Sequence, residues 1–195
     1  MKRVLFVLAM AVALPQAAQA ESLSYSYVEG GYANNDFDNS MFGSFDGVYG
    51  KGSVAFGDSG FFAAGSYKPS SGDIFGSSGY DIDSTSLGLG YHHAIADKVD
   101  FVAQLDYVHT SVNFGSSIEG YRVSAGVRSS FSEKFEGAVL GHYEKTSDID
   151  ASDFSVSLEG QFKFNEVLGL VVGVESGQRF DQDVLTYNVG LRASF

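Results

Sequence analysis

The sequence predicts an all-β fold, a closed up-and-down antiparallel barrel that crosses a membrane with ten strands, or with eight if a weak hairpin merges. Three observations carry this. Segments alternate apolar and polar residues over eight or more positions. They recur as equal-length pairs about short polar turns. The composition, with 24 Gly, 17 Phe, 11 Tyr and only 2 Pro, holds no long 3.6-residue period.

The chain opens "MKRVLFVLAMAVALPQAAQA". Lys2 and Arg3 make a basic start, Val4 to Leu14 an apolar run, and Ala18-Gln19-Ala20 a small-residue cleavage site. Residues 1–20 therefore read as a secretory signal peptide, cut between Ala20 and Glu21, with the barrel domain over 21–195. Glu21 stands where a lipoprotein needs Cys, so no lipid anchor is expected. There are no cysteines, so an exported chain must find its stability elsewhere. Without Lys2 and Arg3, 10 basic face 24 acidic side chains, a net charge of −14 that repels nucleic acid. The longest later apolar run, "VLGLVVGV", falls far short of the ~20 residues of a spanning helix.

A first strand is expected at about 23–33 and a last at 184–195. Between them lie four hairpins: "YGKGSVAFGDSGFFAAGSYK", "TSLGLGYHHAIADKVDFVAQLDYV", "YRVSAGVRSSFSEKFEGAVLGHYE" and "FSVSLEGQFKFNEVLGLVVGVES". Their short turns centre near Ser59, Ala96, Glu133 and Glu166. Longer Gly/Ser/Asp/Asn-rich stretches near 34–44, 69–83, 111–118, 146–152 and 177–183 read as loops on the other side. Short turns on one rim and long loops on the other are the asymmetry of a bacterial membrane barrel.

Alternation assigns two faces. Tyr121, Val123, Ala125, Val127 and Phe131 oppose Arg122, Ser124, Gly126 and Arg128. Phe154, Val156, Leu158, Gly160, Phe162 and Phe164 oppose Ser155, Ser157, Glu159, Gln161 and Lys163. In the last strand, Leu185, Tyr187, Val189, Leu191, Ala193 and Phe195 oppose Thr186, Asn188, Gly190 and Arg192. A soluble lipocalin-like barrel would turn the apolar set inward, and a membrane barrel turns it to lipid. Aromatics near both strand ends favour lipid: Phe101/Tyr107, Tyr121/Phe131, Phe135/Tyr143, Phe154/Phe164 and Tyr187/Phe195. The Tyr187–Phe195 interval rises roughly 20 Å at a ~40° tilt, near the ~25 Å apolar band between aromatic girdles. Backbone groups in hydrocarbon must all be paired, so the sheet must close. A last strand paired with the first explains order up to Phe195, and Val189→Arg should cost more than Asn188→Arg.

The segments "LSYSYVEGGYANND", "LGLGYHHAI", "GYRVSAGVRSSF" and "FKFNEVLGLVVGVESG" resemble the small outer-membrane β-barrels of the OmpA/OmpX-type class, and more narrowly the xanthomonad-type family of small outer-membrane proteins. The resemblance implies export through the periplasm to the bacterial outer membrane, and a family association with quorum sensing, biofilm and vesicles. It carries no catalytic motif. Tyr187, Val189, Leu191, Ala193 and Phe195 also resemble the terminal signal read by the β-barrel assembly machinery. Partners then expected are outer-membrane lipids, lipopolysaccharide and that machinery, with the chain a monomer.

Three groups of residues are candidates for chemistry. Lys51, Arg122, Arg128, Lys163 and Arg192 are expected in the bore with Glu29, Asp106, Glu136, Glu144 and Glu159. Near-balanced charge in a narrow barrel reads as an ion-pair plug, and alternatively as a porin-like channel with a charged constriction. Folding about Glu133 sets Arg122 opposite Glu144 and Arg128 opposite Ala138.

The second candidate is on the lipid-facing wall. His109 and Ser111 share that face, and folding about Gly115 places Ser111 opposite Glu119. This trio resembles the lipid A deacylase barrel, with Ser111 as nucleophile, His109 as base and Glu119 as orienting acid. His92 and His93 point to opposite faces and cannot share one metal, and His142 is expected to line the bore.

Third, Asp36, Asp38, Asp73, Asp81, Asp83, Asp148, Asp150, Asp153, Asp181 and Asp183 crowd the outer rim, without the Gly and terminal Glu of an EF-hand. "YGKGSVAFG" lacks the spacing of a phosphate loop. No cofactor and no metal is expected. The function expected is structural and surface-interactive, namely envelope integrity and adhesion or biofilm association through the loops, without catalysis.

Overall fold

A computed structural model describes residues 23–39, 42–74, 77–112, 116–147, 151–179 and 182–195. The expected signal peptide, with Ala18, Ala20 and Glu21, lies outside them, as do Gly115, Asp148, Asp150 and Asp181. Ten strands follow one another: β1 Tyr27–Asn39, β2 Phe42–Ala55, β3 Phe61–Ile74, β4 Ser77–Ala96, β5 Val99–Val112, β6 Ser116–Ser132, β7 Phe135–Thr146, β8 Ala151–Lys163, β9 Leu168–Arg179 and β10 Gln182–Ser194. Each pairs antiparallel with its chain neighbours, and β1 pairs with β10 from Tyr27↔Ser194 to Phe37↔Val184, closing the ring. Closure leaves no strand edge to hydrocarbon, the condition a spanning sheet has to meet.

The short turns are written locally. Asn165 Oδ1 accepts hydrogen bonds from the backbone N–H groups of Val167 and Leu168, at 2.9 and 2.7 Å, turning β8 into β9. In the β2–β3 link Gly60 takes a φ of 75°, and a Cβ there would sit 2.7 Å from the His92 carbonyl oxygen. Both the chirality and the close approach demand glycine.

Two sequence expectations change. The stretches read as long loops are mostly ladder: β4 runs 20 residues and β5 reaches Val112. Only about 9–11 residues are needed to cross the bilayer, so the hairpins project beyond it as sheet. There water lies outside, side chains of both faces can be polar, and the alternation that signals a strand vanishes. Cross-strand bonds such as Ser71 Oγ to Asp81 (2.9 Å) and Thr186 Oγ1 to Asn35 (2.9 Å) hold these extensions. The first strand begins at Tyr27, not at 23, because Leu23–Ser26 leaves the ladder and crosses the mouth of the barrel.

The apolar phase faces out. Leu87, Leu89, Val48, Leu105, Leu158, Val172 and Leu191 are all more than half exposed. Exposed Tyr32, Tyr67, Tyr107, Tyr121, Tyr143 and Tyr187, with Phe154, ring the long-hairpin end, while Phe56, Phe61, Phe101, Phe131, Phe135 and Phe164 ring the short-turn end. An apolar wall between two aromatic girdles is a surface made for lipid, so the soluble inside-out alternative is excluded. Inside, large side chains lie on glycines across the ladder. A Cβ on Gly90 would meet the Phe62 ring at 2.1 Å, and one on Gly31 the Tyr49 ring at 2.8 Å. At these positions the side chains of the bore interlock across the ladder.

Candidate functional site: an ion-pair network in the bore

The central layer of the bore joins opposite walls. Glu29 of β1 has a fully buried side chain, and Arg192 of β10 is 4% exposed. Arg192 donates from Nε and Nη2 to Glu29 Oε2 (2.8 and 2.5 Å), from Nη2 to Glu159 Oε1 (2.6 Å), and from Nη1 to Gln161 Oε1 (3.2 Å). Its guanidinium lies 4.2 Å from the Tyr27 ring centre. Lys51 of β2 bridges Glu29 and Glu159 at 3.4 and 3.5 Å. Since β2 and β8 are four places apart in a ring of ten, Lys51–Glu159 nearly spans the bore. Tyr49 donates to Glu29 Oε1 (2.8 Å) and accepts from Asn188 (3.3 Å). Two cations and two anions balance, as buried charges require.

Toward the long hairpins, Arg122 pairs with Glu175 at 2.5 Å and Glu144 at 3.5 Å, and Ser155 Oγ donates to Glu175 at 2.8 Å. Asp106 accepts from Gln104 at 2.7 Å and is Arg122's register partner. Lys68 lies within electrostatic reach of Asp106 and Glu175. Beneath them His142 sits between Ser124 and Ser157, each 2.8 Å from one ring nitrogen. Above the Arg122 layer is a small polar vestibule, with a cavity of about 20 Å³, open toward the hairpins and lined by Arg122, Glu144, Asp153, Glu175, Gln178 and Thr186 among others.

Toward the short turns, Arg128 donates to Glu136 at 2.6 Å, and Lys163 pairs with the same carboxylate. The mouth itself is crossed by Leu23–Ser26. Tyr25, 6% exposed, stacks on His92 with ring centres 3.8 Å apart and on Phe62 at 5.3 Å, and its hydroxyl donates to Asp100 at 3.0 Å. Burial pushes its phenol well above the ordinary range, which keeps the hydroxyl a donor.

Every residue assigned to the bore from sequence lies there, including the Arg122↔Glu144 and Arg128↔Ala138 register pairs. Sequence reasoning missed Glu175, Lys68, Asp100 and Tyr25. A signal for Glu175 was present, because folding about Glu166 sets it opposite Ser157, which is its register partner.

On the outer wall the trio is rearranged. Glu119 is the partner of His109, and Ser111 is the partner of Ser117, so the expected Ser111–Glu119 pairing is off by two residues. The β5–β6 register sets each partner two residues from the one expected, which on one face of a strand is the next side chain along. His109 Nδ1 and Glu119 Oε1 are 3.6 Å apart, both side chains exposed just beyond the Tyr107–Tyr121 girdle rung. Ser111 follows two residues along the same face, about 7 Å on by strand geometry. His92 faces in, toward Tyr25, and His93 stacks outside with Tyr91 at 6.4 Å. Among the described residues no group of three or more His, Cys, Asp or Glu side chains converges as metal ligands. Asp36, Asp38, Asp73, Asp81 and Asp183 are exposed on the projecting hairpins, whereas Asp153 faces the vestibule.

The model for the outer membrane protein beta-barrel domain matches residues 4–195. Among solved structures, the NanC porin is 10% identical, with 87% of this chain and 100% of that one covered at a TM-score of 0.52. The KdgM porin in complex with disordered oligogalacturonate is 16% identical, with 87% and 99% covered at 0.50. Ail, the attachment invasion locus protein of Yersinia pestis, is 17% identical over 88% and 99% at 0.44. Identities this low bear on the fold alone. No curated protein matches the chain.

Proposed function

The chain belongs to the outer membrane protein beta-barrel domain family and resides in the bacterial outer membrane; from that premise we propose that its bore is a structural core and that it works through its outer surface, as a non-catalytic envelope barrel presenting its acidic hairpins to lipopolysaccharide, matrix or neighbouring cells. The observation that carries this reading is the central layer, where Lys51, Glu29, Arg192 and Glu159 join nearly opposite walls around Tyr49. A side-chain lattice at that depth obstructs the path a water column would take, which supports a plugged bore. Planar-bilayer recordings at high protein load should therefore stay silent. Discrete, reproducible conductance steps would overturn the reading.

The vestibule favours a second one. A small polar cleft that opens outward and ends on Arg122, Glu144 and Glu175 is placed where a pore entrance would lie. In that reading the barrel is a narrow channel and the Arg122 layer its constriction, so the silent recordings that support the first reading would exclude it. Catalysis at His109, Ser111 and Glu119 is outside the proposal, and lipid A carrying the same acyl chains with and without the protein is its expected readout.

A further inference from the structure

The four residues before β1 do something the wall strands do not. From the β1–β10 seam, where Ser24 Oγ donates to the Phe195 carbonyl (3.3 Å) and the Phe195 N–H to that of Ser26 (3.0 Å), the segment reaches the far side of the ring. There Arg128 of β6 donates to the Ser24 carbonyl at 2.7 Å, and β6 stands five places from β1. Tyr25 completes the crossing. Its ring stacks against His92 of β4 and Phe62 of β3, the Arg128 guanidinium lies 5.0 Å from the ring centre, and the hydroxyl binds Asp100 of β5. Every recognisable feature of a phenol, both π surface and hydroxyl, has a complementary group in the wall. His92 also approaches the same Asp100 oxygen at 3.1 Å, fixing the acceptor.

We propose that Leu23–Ser26 is a strap closing the periplasmic mouth of the barrel, with Tyr25 as its latch, and that unlatching this segment, with the wall unchanged, exposes the lower bore to solutes. The strap is held by side-chain and single backbone contacts, while the wall is held by continuous ladders, so the strap opens at lower free energy. Beneath it lies an apolar cluster in which Val102, 8% exposed, packs with Tyr25 and Phe62, and Ala64 and Leu140 pack against it. The proposal holds whether or not the central layer conducts, because the exposed region lies on the periplasmic side of that layer.

The absence of native cysteine makes the test direct. Val102→Cys places a thiol under the strap, and Thr186→Cys places one in the open vestibule as a reference. In folded protein in detergent, with folding checked by heat-modifiable gel migration, a charged maleimide should modify Thr186→Cys readily and Val102→Cys at least about tenfold more slowly, as a locally closed site requires. Adding Tyr25→Ala should bring the Val102→Cys rate up to that of the reference, whereas Tyr25→Phe, which keeps the ring, should leave most of the protection. Should Tyr25→Ala not fold, the first comparison still decides. Equal rates for the two thiols in the otherwise native barrel, or a Val102→Cys rate indifferent to Tyr25→Ala, would overturn the strap.

Discussion

Replacing Arg192 by methionine should destabilise the barrel by about 3–5 kcal/mol, the range for removing one partner of a buried ion pair. Methionine fills much of the same volume, so the loss is electrostatic in origin. Four of the contacts in the central layer are Arg192's own: two to Glu29, one to Glu159 and one to Gln161. Without it, two carboxylates share Lys51 alone, and the Glu29 side chain has no solvent to turn to. The measurement is urea unfolding from lipid vesicles, followed by the folded band on unheated gels. Adding Glu29→Gln to the same chain should recover part of the loss, because it leaves Lys51 and Glu159 as a balanced pair, and a penalty that comes from charges left without a counter-ion is non-additive. A loss below about 1 kcal/mol, the scale of a solvated pair, would mean that water already fills the bore, and it would shift the balance toward the channel reading.

How much of this was readable from residues alone depended on contrast between the two faces. In β6, β8 and β10 a charged or hydroxyl phase opposes an apolar one, and the faces follow at once. In β9 they do not. Val171 points inward and is completely buried, while Val172 beside it is 53% exposed to lipid. A bore that packs like a core takes apolar residues too, so polarity no longer reports direction there, and Glu175 went unassigned with its strand.

Lys68 was missed for another reason. It is the last residue of the first hairpin segment, directly before the Ser/Gly-rich 69–83 stretch that reads as loop, so it was given no face, yet the ladder continues through Pro69↔Asp83 and beyond. Tyr25 was hidden because alternation in "LSYSYVEGG" continues smoothly into β1. Only the cross-bore contacts to His92, Asp100 and Arg128 pull that segment out of the ladder, and long-range contacts of this kind leave no trace in local pattern. The same blindness affects Asn188. Read as a tolerant inward position, it lies instead against Tyr49, and a Cβ on Gly173 would come within 2.4 Å of its side chain. An arginine there would overpack the bore, so Asn188 cannot serve as the mild inward control.

Thr186 can, and with it Val189→Arg becomes the sharpest test of which face meets lipid. Val189 is 47% exposed, stands opposite Val172 on β9 and Tyr32 on β1, and lies two residues inside the Tyr187 girdle position. Arginine on that face should cost about 2–4 kcal/mol, the charge penalty toward the bilayer midplane. Thr186→Arg, three residues away, opens into the polar vestibule and should lose only the hydrogen bond to Asn35, about 1 kcal/mol. The two variants add the same charge to the same strand, so propensity and net charge cancel in the comparison. Vesicle-based urea titrations would read both. Had the outer wall faced water, a solvated arginine at position 189 would be nearly free, and Val189→Arg would be the milder of the two. That reversed order is incompatible with a barrel whose Leu87, Leu89 and Val172 lie against hydrocarbon.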